Sequence, residues 1–135
     1  MKPLKLKLVL AAAPLAALVL AAAPASAAAM HHKRIGSCRA NGDYATCDAS
    51  GSVNHPLALR VHANSGPHQR VTVYWDVTCS KGYGAGSKSG HFSGTTPLRR
   101  GVPMNYRRPD NCILSADAQL SSGGTLHIWL TARKR

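Results

Sequence analysis

The chain has 135 residues, with 17 lysines and arginines against five acidic residues and a formal charge of +12. All five acids are aspartates, and the lack of glutamate removes the zinc-protease helix motif and thins the supply of paired carboxylates. Beyond an N-terminal leader, about 106 residues remain, enough for one domain with one modest core.

The leader spans residues 1–29. Lys2, Lys5 and Lys7 make a positive start, Leu8 to Ala23 is apolar and broken by Pro14, and Pro24-Ala25-Ser26-Ala27 supplies small residues at a cleavage site. This is the layout of a secretory signal peptide. The apolar run is shorter than the roughly 20 unbroken residues of a membrane helix, so no stable membrane anchor is expected. The expectation is therefore a secreted, extracellular domain over 30–135. Three of the 17 cationic residues belong to the leader, leaving 14 against five aspartates, a formal +9. In an oxidising compartment, Cys38, Cys47, Cys79 and Cys112 become structural.

The first expected element is a hairpin. A two-residue turn at Gly42-Asp43 would pair Asn41 with Tyr44 and, three steps on, Cys38 with Cys47 in a non-hydrogen-bonded pair, where side chains approach closely. An Asn41-Gly42 turn is the rival and would set Cys38 opposite Ala45. Leu57, Leu59, Val61 and Ala63 then alternate with Ala58, Arg60 and His62. Val71, Val73, Trp75, Val77 and Cys79 alternate with Thr72, Tyr74, Asp76 and Thr78, the clearest strand pattern in the chain. Gly82 to Gly90 and Thr95 to Asn111 are expected as loops, the second carrying Pro97, Pro103 and Pro109. Cys112, Leu114, Ala116, Ala118 and Leu120 form a further alternating run. Ser121-Ser122-Gly123-Gly124 is expected as a hairpin turn into the last one, Leu126, Ile128, Leu130 and Ala132.

About seven short strands in a chain of this size predict an all-β, disulfide-stapled β-sandwich. The favoured pairing is Cys38–Cys47 with Cys79–Cys112, although four cysteines allow three connectivities. Trp75 near a core disulfide suggests immunoglobulin-like architecture. The match is architectural only, because Trp75 and Cys79 share a strand and no tyrosine stands two residues before Cys112.

Cys38-Arg39-Ala40-Asn41-Gly42-Asp43-Tyr44-Ala45-Thr46-Cys47, Cys79-Ser80-Lys81-Gly82-Tyr83-Gly84-Ala85-Gly86 and Ser115-Ala116-Asp117-Ala118-Gln119-Leu120 carry a resemblance to small secreted proteins of actinomycetes. It covers most of the chain after the leader. It implies the compartment and brings no activity with it.

No catalytic constellation emerges, and no cofactor or metal is expected. Gly82 to Ser89 approaches the phosphate loop G-x-x-x-x-G-K-S, but Ser87 replaces its second glycine and no helical pattern follows. The seven histidines lack the convergent ligands of a zinc site. His62 and His127 fall on polar strand faces, with titration expected near pH 6.5. Asp76 and Asp117 are expected to meet an arginine such as Arg60.

The strongest functional signal is the set of basic clusters: Arg99-Arg100, Arg107-Arg108 and Arg133-Lys134-Arg135. Brought together, they would form a rim for phosphate or carboxylate groups. The reading is a non-catalytic module for an anionic extracellular or cell-envelope polymer. An alternative is a protease inhibitor presenting Leu98-Arg99-Arg100 from the 95–111 loop. The actinomycete subtilisin inhibitors and enediyne-carrier apoproteins share size and compartment with the chain, but their cysteine spacings do not overlay it. A small secreted hydrolase is the third reading.

Overall fold

The structure, a computed structural model, describes residues 31–135. The leader expected over 1–29 lies outside the described residues. Eight strands follow one another: β1 (Lys33–Gly42), β2 (Thr46–Asn54), β3 (Pro56–Ser65), β4 (Arg70–Lys81), β5 (Gly84–Thr95), β6 (Leu98–Val102), β7 (Asn111–Leu120) and β8 (Gly124–Lys134). They form two four-stranded sheets, ordered β1-β8-β3-β6 and β2-β7-β4-β5. All pairings are antiparallel.

The pairs β1·β8, β2·β7, β3·β6 and β4·β5 are nested, as in one long double ribbon folded back on itself. Rolling that ribbon brings β8 against β3 and β7 against β4, which closes the two sheets. This is the jelly-roll path. The expected two-sheet, two-disulfide sandwich is thus observed, with eight strands rather than about seven. Likeness to the immunoglobulin plan stops at the packed pair of sheets.

Period-two patterning explains the core. Val71, Val73, Val77 and Cys79 on β4 meet Leu114, Ala116, Ala118 and Leu120 on β7. From the other sheet come Leu59, Val61 and Ala63 on β3 and Leu126, Ile128, Leu130 and Ala132 on β8. Each fully buried Leu, Ile or Val contributes about 1.5–3 kcal/mol relative to exposure. Leu57 breaks the pattern at 42% exposed, because a bulge between Pro56 and Ala58 shifts the register there.

Both expected disulfides are present, Cys38–Cys47 and Cys79–Cys112. The reason for the first is different from the one expected. β1 and β2 do not pair; Cys38 lies opposite Ile128 in one sheet and Cys47 opposite Ala118 in the other. The chain between them arches from sheet to sheet, with Gly42 at φ 127° and Tyr44 at φ 56°. Cys38–Cys47 therefore ties the two sheets together across a Cα separation of 5.7 Å. Cys79 and Cys112 are direct cross-strand partners on β4 and β7, 4.1 Å apart at Cα, so this bridge lies within one sheet.

Three other expectations change. Ser121-Ser122-Gly123-Gly124 is not a hairpin turn, since β7 and β8 belong to different sheets. Most of 82–90 is strand: β5 begins at Gly84 and runs along β4. Its glycines are needed for close cover, because a Cβ on Gly90 would strike the indole of Trp75. The 95–111 segment contains β6, paired with β3 from Leu59↔Val102 to Ala63↔Leu98.

Candidate functional site: a basic and aromatic sheet face

The strand alternation that buries Leu126, Ile128 and Leu130 turns His127, Trp129 and Thr131 outward. Their neighbours repeat the pattern. Across the whole sheet runs one row, Ser37 on β1, Trp129 on β8, His62 on β3 and Arg99 on β6. The row to one side holds Arg39, His127 and Asn64, and the row to the other holds Arg34, Thr131, Arg60 and Gly101. Arg133 lies one step further along β8.

Trp129 is the centre of this face. Its ring stacks on His62 at 5.0 Å between centroids and 11° between planes. His127, two residues back on β8, lies beside it at 4.7 Å, tilted by 33°. The guanidinium carbon of Arg34 sits 5.6 Å from the ring centroid, a cation–π contact. His62 Nε2 and Thr131 Oγ1 are hydrogen-bonded at 2.9 Å, and Thr131 Oγ1 is 3.4 Å from His32 Nδ1.

None of the five aspartates lies in a strand of this sheet, so no aspartate of its own strands offsets the arginines. Three histidines register that positive charge. Burial and then the Arg99 and Arg60 guanidinium groups push His62 down to about 4. Burial, with Arg60, Arg133 and Arg99 around it, lowers His32. Burial, Arg39 and Arg34 lower His127. The expectation that His62 and His127 titrate near pH 6.5 is corrected accordingly: the residues do lie on outward faces, but among arginines.

The basic residues expected to form a rim occupy different places. Arg99 and Arg133 border the face just described. Arg100 stands opposite Val61 on the edge strand β6 and is exposed. Arg107 and Arg108 lie in the connection from β6 to β7, where Tyr106 packs close to Gly84 and Gly86 on β5 of the other sheet. Lys134 pairs with Pro56 at the end of β8. Arg135 donates to the carbonyl of Pro109 at 2.8 Å and lies 3.2 Å from His55 Nδ1, so it fastens the C-terminus to the end of the long connection.

Arg60 does not meet Asp76 or Asp117; it faces outward from one sheet and they face outward from the other. The Leu98-Arg99-Arg100 stretch is a strand in a ladder with β3, so it lacks the free loop that a substrate-like inhibitor presents. Arg34, Arg39 and Trp129 were not anticipated as site residues. Their signal is in the sequence nonetheless: each occupies an outward position of an alternating strand, and charge counted by strand face rather than by cluster finds them.

No protein-family model matches the chain, and no curated protein matches it. Among solved structures, that of TmCBM61 in complex with beta-1,4-galactotriose is similar at a TM-score of 0.40 and 12% identity, over 70% of this chain and 67% of that one.

Proposed function

We propose that the chain is a non-catalytic binding module for an anionic extracellular or cell-envelope polymer, engaged by the outer face of the β1-β8-β3-β6 sheet. The observation that carries this reading is the row Ser37–Trp129–His62–Arg99, flanked by Arg34, Arg39 and Arg60. Gathering like charges on one face costs self-repulsion, and an anionic ligand offsets that cost. Arginine forks accept carboxylate, sulfate or phosphate groups bidentately. The Trp129–His62 stack adds aromatic surface that the apolar side of a sugar ring can contact. An open sheet face also suits an extended chain better than a small molecule, which favours an enclosed pocket.

The site lies on strands, held by the core beneath it, so little ordering cost is added on binding. Secretion follows from the leader and is part of the proposal. No helix among the described residues is long and apolar enough to cross a membrane. The direct test is retention on immobilised heparin and on polygalacturonate, eluted by a salt gradient. Retention that falls steeply with salt supports the reading; no retention at low salt overturns it.

A further inference from the structure

The opposite side of the sandwich carries a second surface of different chemistry. On the outer face of β2-β7-β4-β5, one row runs Asp48, Asp117, Tyr74 and His91 across all four strands. The next row holds Ser50, Ser115 and Asp76. Over these rows lies a groove of about 430 Å³, within the ~300–1,000 Å³ of small-ligand clefts. The small serines leave its floor low, and Tyr74, 57% exposed, forms one wall, its ring centroid 5.7 Å from that of His91.

Four features set this groove apart from an ordinary solvated sheet. Asp48 and Asp117 stand directly opposite each other, an arrangement that like charge makes unfavourable. A hydrogen bond that protonated Asp117 donates to Asp48, then burial and the Asp48 charge, raise Asp117 above its ordinary value, and no cation contributes there. In a chain so rich in arginine, three of the five aspartates line a groove whose lining includes no arginine. Tyr74 meanwhile presents its ring to solvent beside them rather than to the core.

Carboxylates beside an exposed aromatic ring and small hydroxyls match a polyhydroxylated, uncharged ligand. Neighbouring hydroxyls of a sugar donate to a carboxylate, and the apolar face of the ring packs on tyrosine. An anion is disfavoured by the aspartates. A metal ion needs ligands converging on a point, and among the described residues no group of three or more metal-ligating side chains does so. We infer that this groove binds a neutral glycan, with Tyr74 as the stacking platform and Asp48 and Asp117 as hydrogen-bond acceptors, independently of the basic face.

The experiment is affinity electrophoresis of the full chain after the leader in gels containing β-1,4-galactan, xylan, mannan or β-1,3-glucan. Salt of about 0.5 M suppresses binding at the basic face. The expected result is retardation by at least one neutral polymer, weakened about tenfold or more in Tyr74→Ala and in Asp117→Asn and unchanged in Arg60→Ala. Asp117→Asn preserves shape, so its loss of binding is not a loss of fold. Absence of retardation by every neutral polymer overturns the inference, as does full retention in both groove variants. Calorimetric uptake of calcium chloride alone, abolished by Asp117→Asn, would reassign the groove to a cation. Salt-sensitive self-association lost in both Arg60→Ala and Asp117→Asn would reassign it to a second copy of the chain.

Discussion

His62 on β3 and Trp129 on β8 are direct cross-strand partners, and their rings stack with centroids 5.0 Å apart. That contact shields one face of the imidazole, and Arg99 and Arg60 add positive charge around it. Together, with burial first, they push His62 to about 4, so it is neutral at physiological pH. An unfolded histidine titrates near 6.5. Between these values the unfolded chain takes up a proton that the folded chain refuses, so stability from neutral His62 is complete above about 6.5 and lost as pH falls toward 4. Titration followed by the imidazole Hε1 resonance should give a midpoint near 4, and His62→Asn should reduce the acid-side fall of thermal stability.

The same linkage predicts how binding depends on pH. An anion on this face stabilises protonated His62, so its pKa rises in the complex. Affinity for heparin should therefore increase as pH falls from 7.5 to 5. In His62→Asn the increase should be smaller. Affinity that is flat or decreases over this range would detach His62 from the binding surface.

Gly36 and Gly51 face each other where β1 crosses β2. A Cβ on Gly36 would collide with the backbone carbonyl of Ser50, and one on Gly51 with that of Ile35. Both obstacles are main chain, so neither can swing aside. Gly51→Ala should cost about 1–3 kcal/mol by overpacking, measured by urea unfolding. Gly101→Ala serves as the control, because a Cβ there meets nothing within 4 Å.

The two bridges should differ in value. Cys38–Cys47 spans nine positions and Cys79–Cys112 spans 33. Loop-closure entropy gives about 3 kcal/mol for the short loop and about 4 kcal/mol for the long one. Replacing Cys79 and Cys112 by alanine should lower the unfolding midpoint more than replacing Cys38 and Cys47. The short-loop variant should show its own signature, faster hydrogen exchange at the β1 edge, because it loses the covalent tie between sheets.

Much of this architecture is legible in the residues. Alternation on β4, β7 and β8 identifies the inward positions, and the favoured disulfide pairing is the one observed, although the hairpin register that predicts Cys38–Cys47 is one the fold does not contain. What period-two patterning cannot supply is which strand lies beside which. A tight turn into a paired hairpin and an arch between sheets use the same residues, Gly42 and Asp43, and both bring Cys38 to Cys47. The basic face is hidden by the same gap. Arginines adjacent in sequence, such as Arg107 and Arg108, are evident as clusters. Arg34, Arg39, Arg60 and Arg99 come from three separated strands and meet only through pairing over long sequence distances.

Asp117 offers a stability test of opposite sign to His62. Its folded pKa is raised by Asp48, so the pair is tolerated fully below the ordinary value of 3.8 and strains the fold as pH rises through the raised value. Asp117→Asn should stabilise the protein at pH 7 by a few tenths of a kcal/mol, up to about 1, and the gain should vanish near pH 3. Thermal unfolding at the two pH values reads this directly.

The outer face of the β1-β8-β3-β6 sheet is proposed to take an anionic polymer. The most direct test is the slope of log affinity for heparin against log salt, compared between the native protein, Arg60→Ala/Arg99→Ala and Arg107→Ala/Arg108→Ala. Each lost contact should reduce the slope by about one and weaken binding several-fold. This loss is expected for the Arg60/Arg99 variant, and native behaviour for the Arg107/Arg108 variant. Native affinity and slope in Arg60→Ala/Arg99→Ala would contradict the proposal.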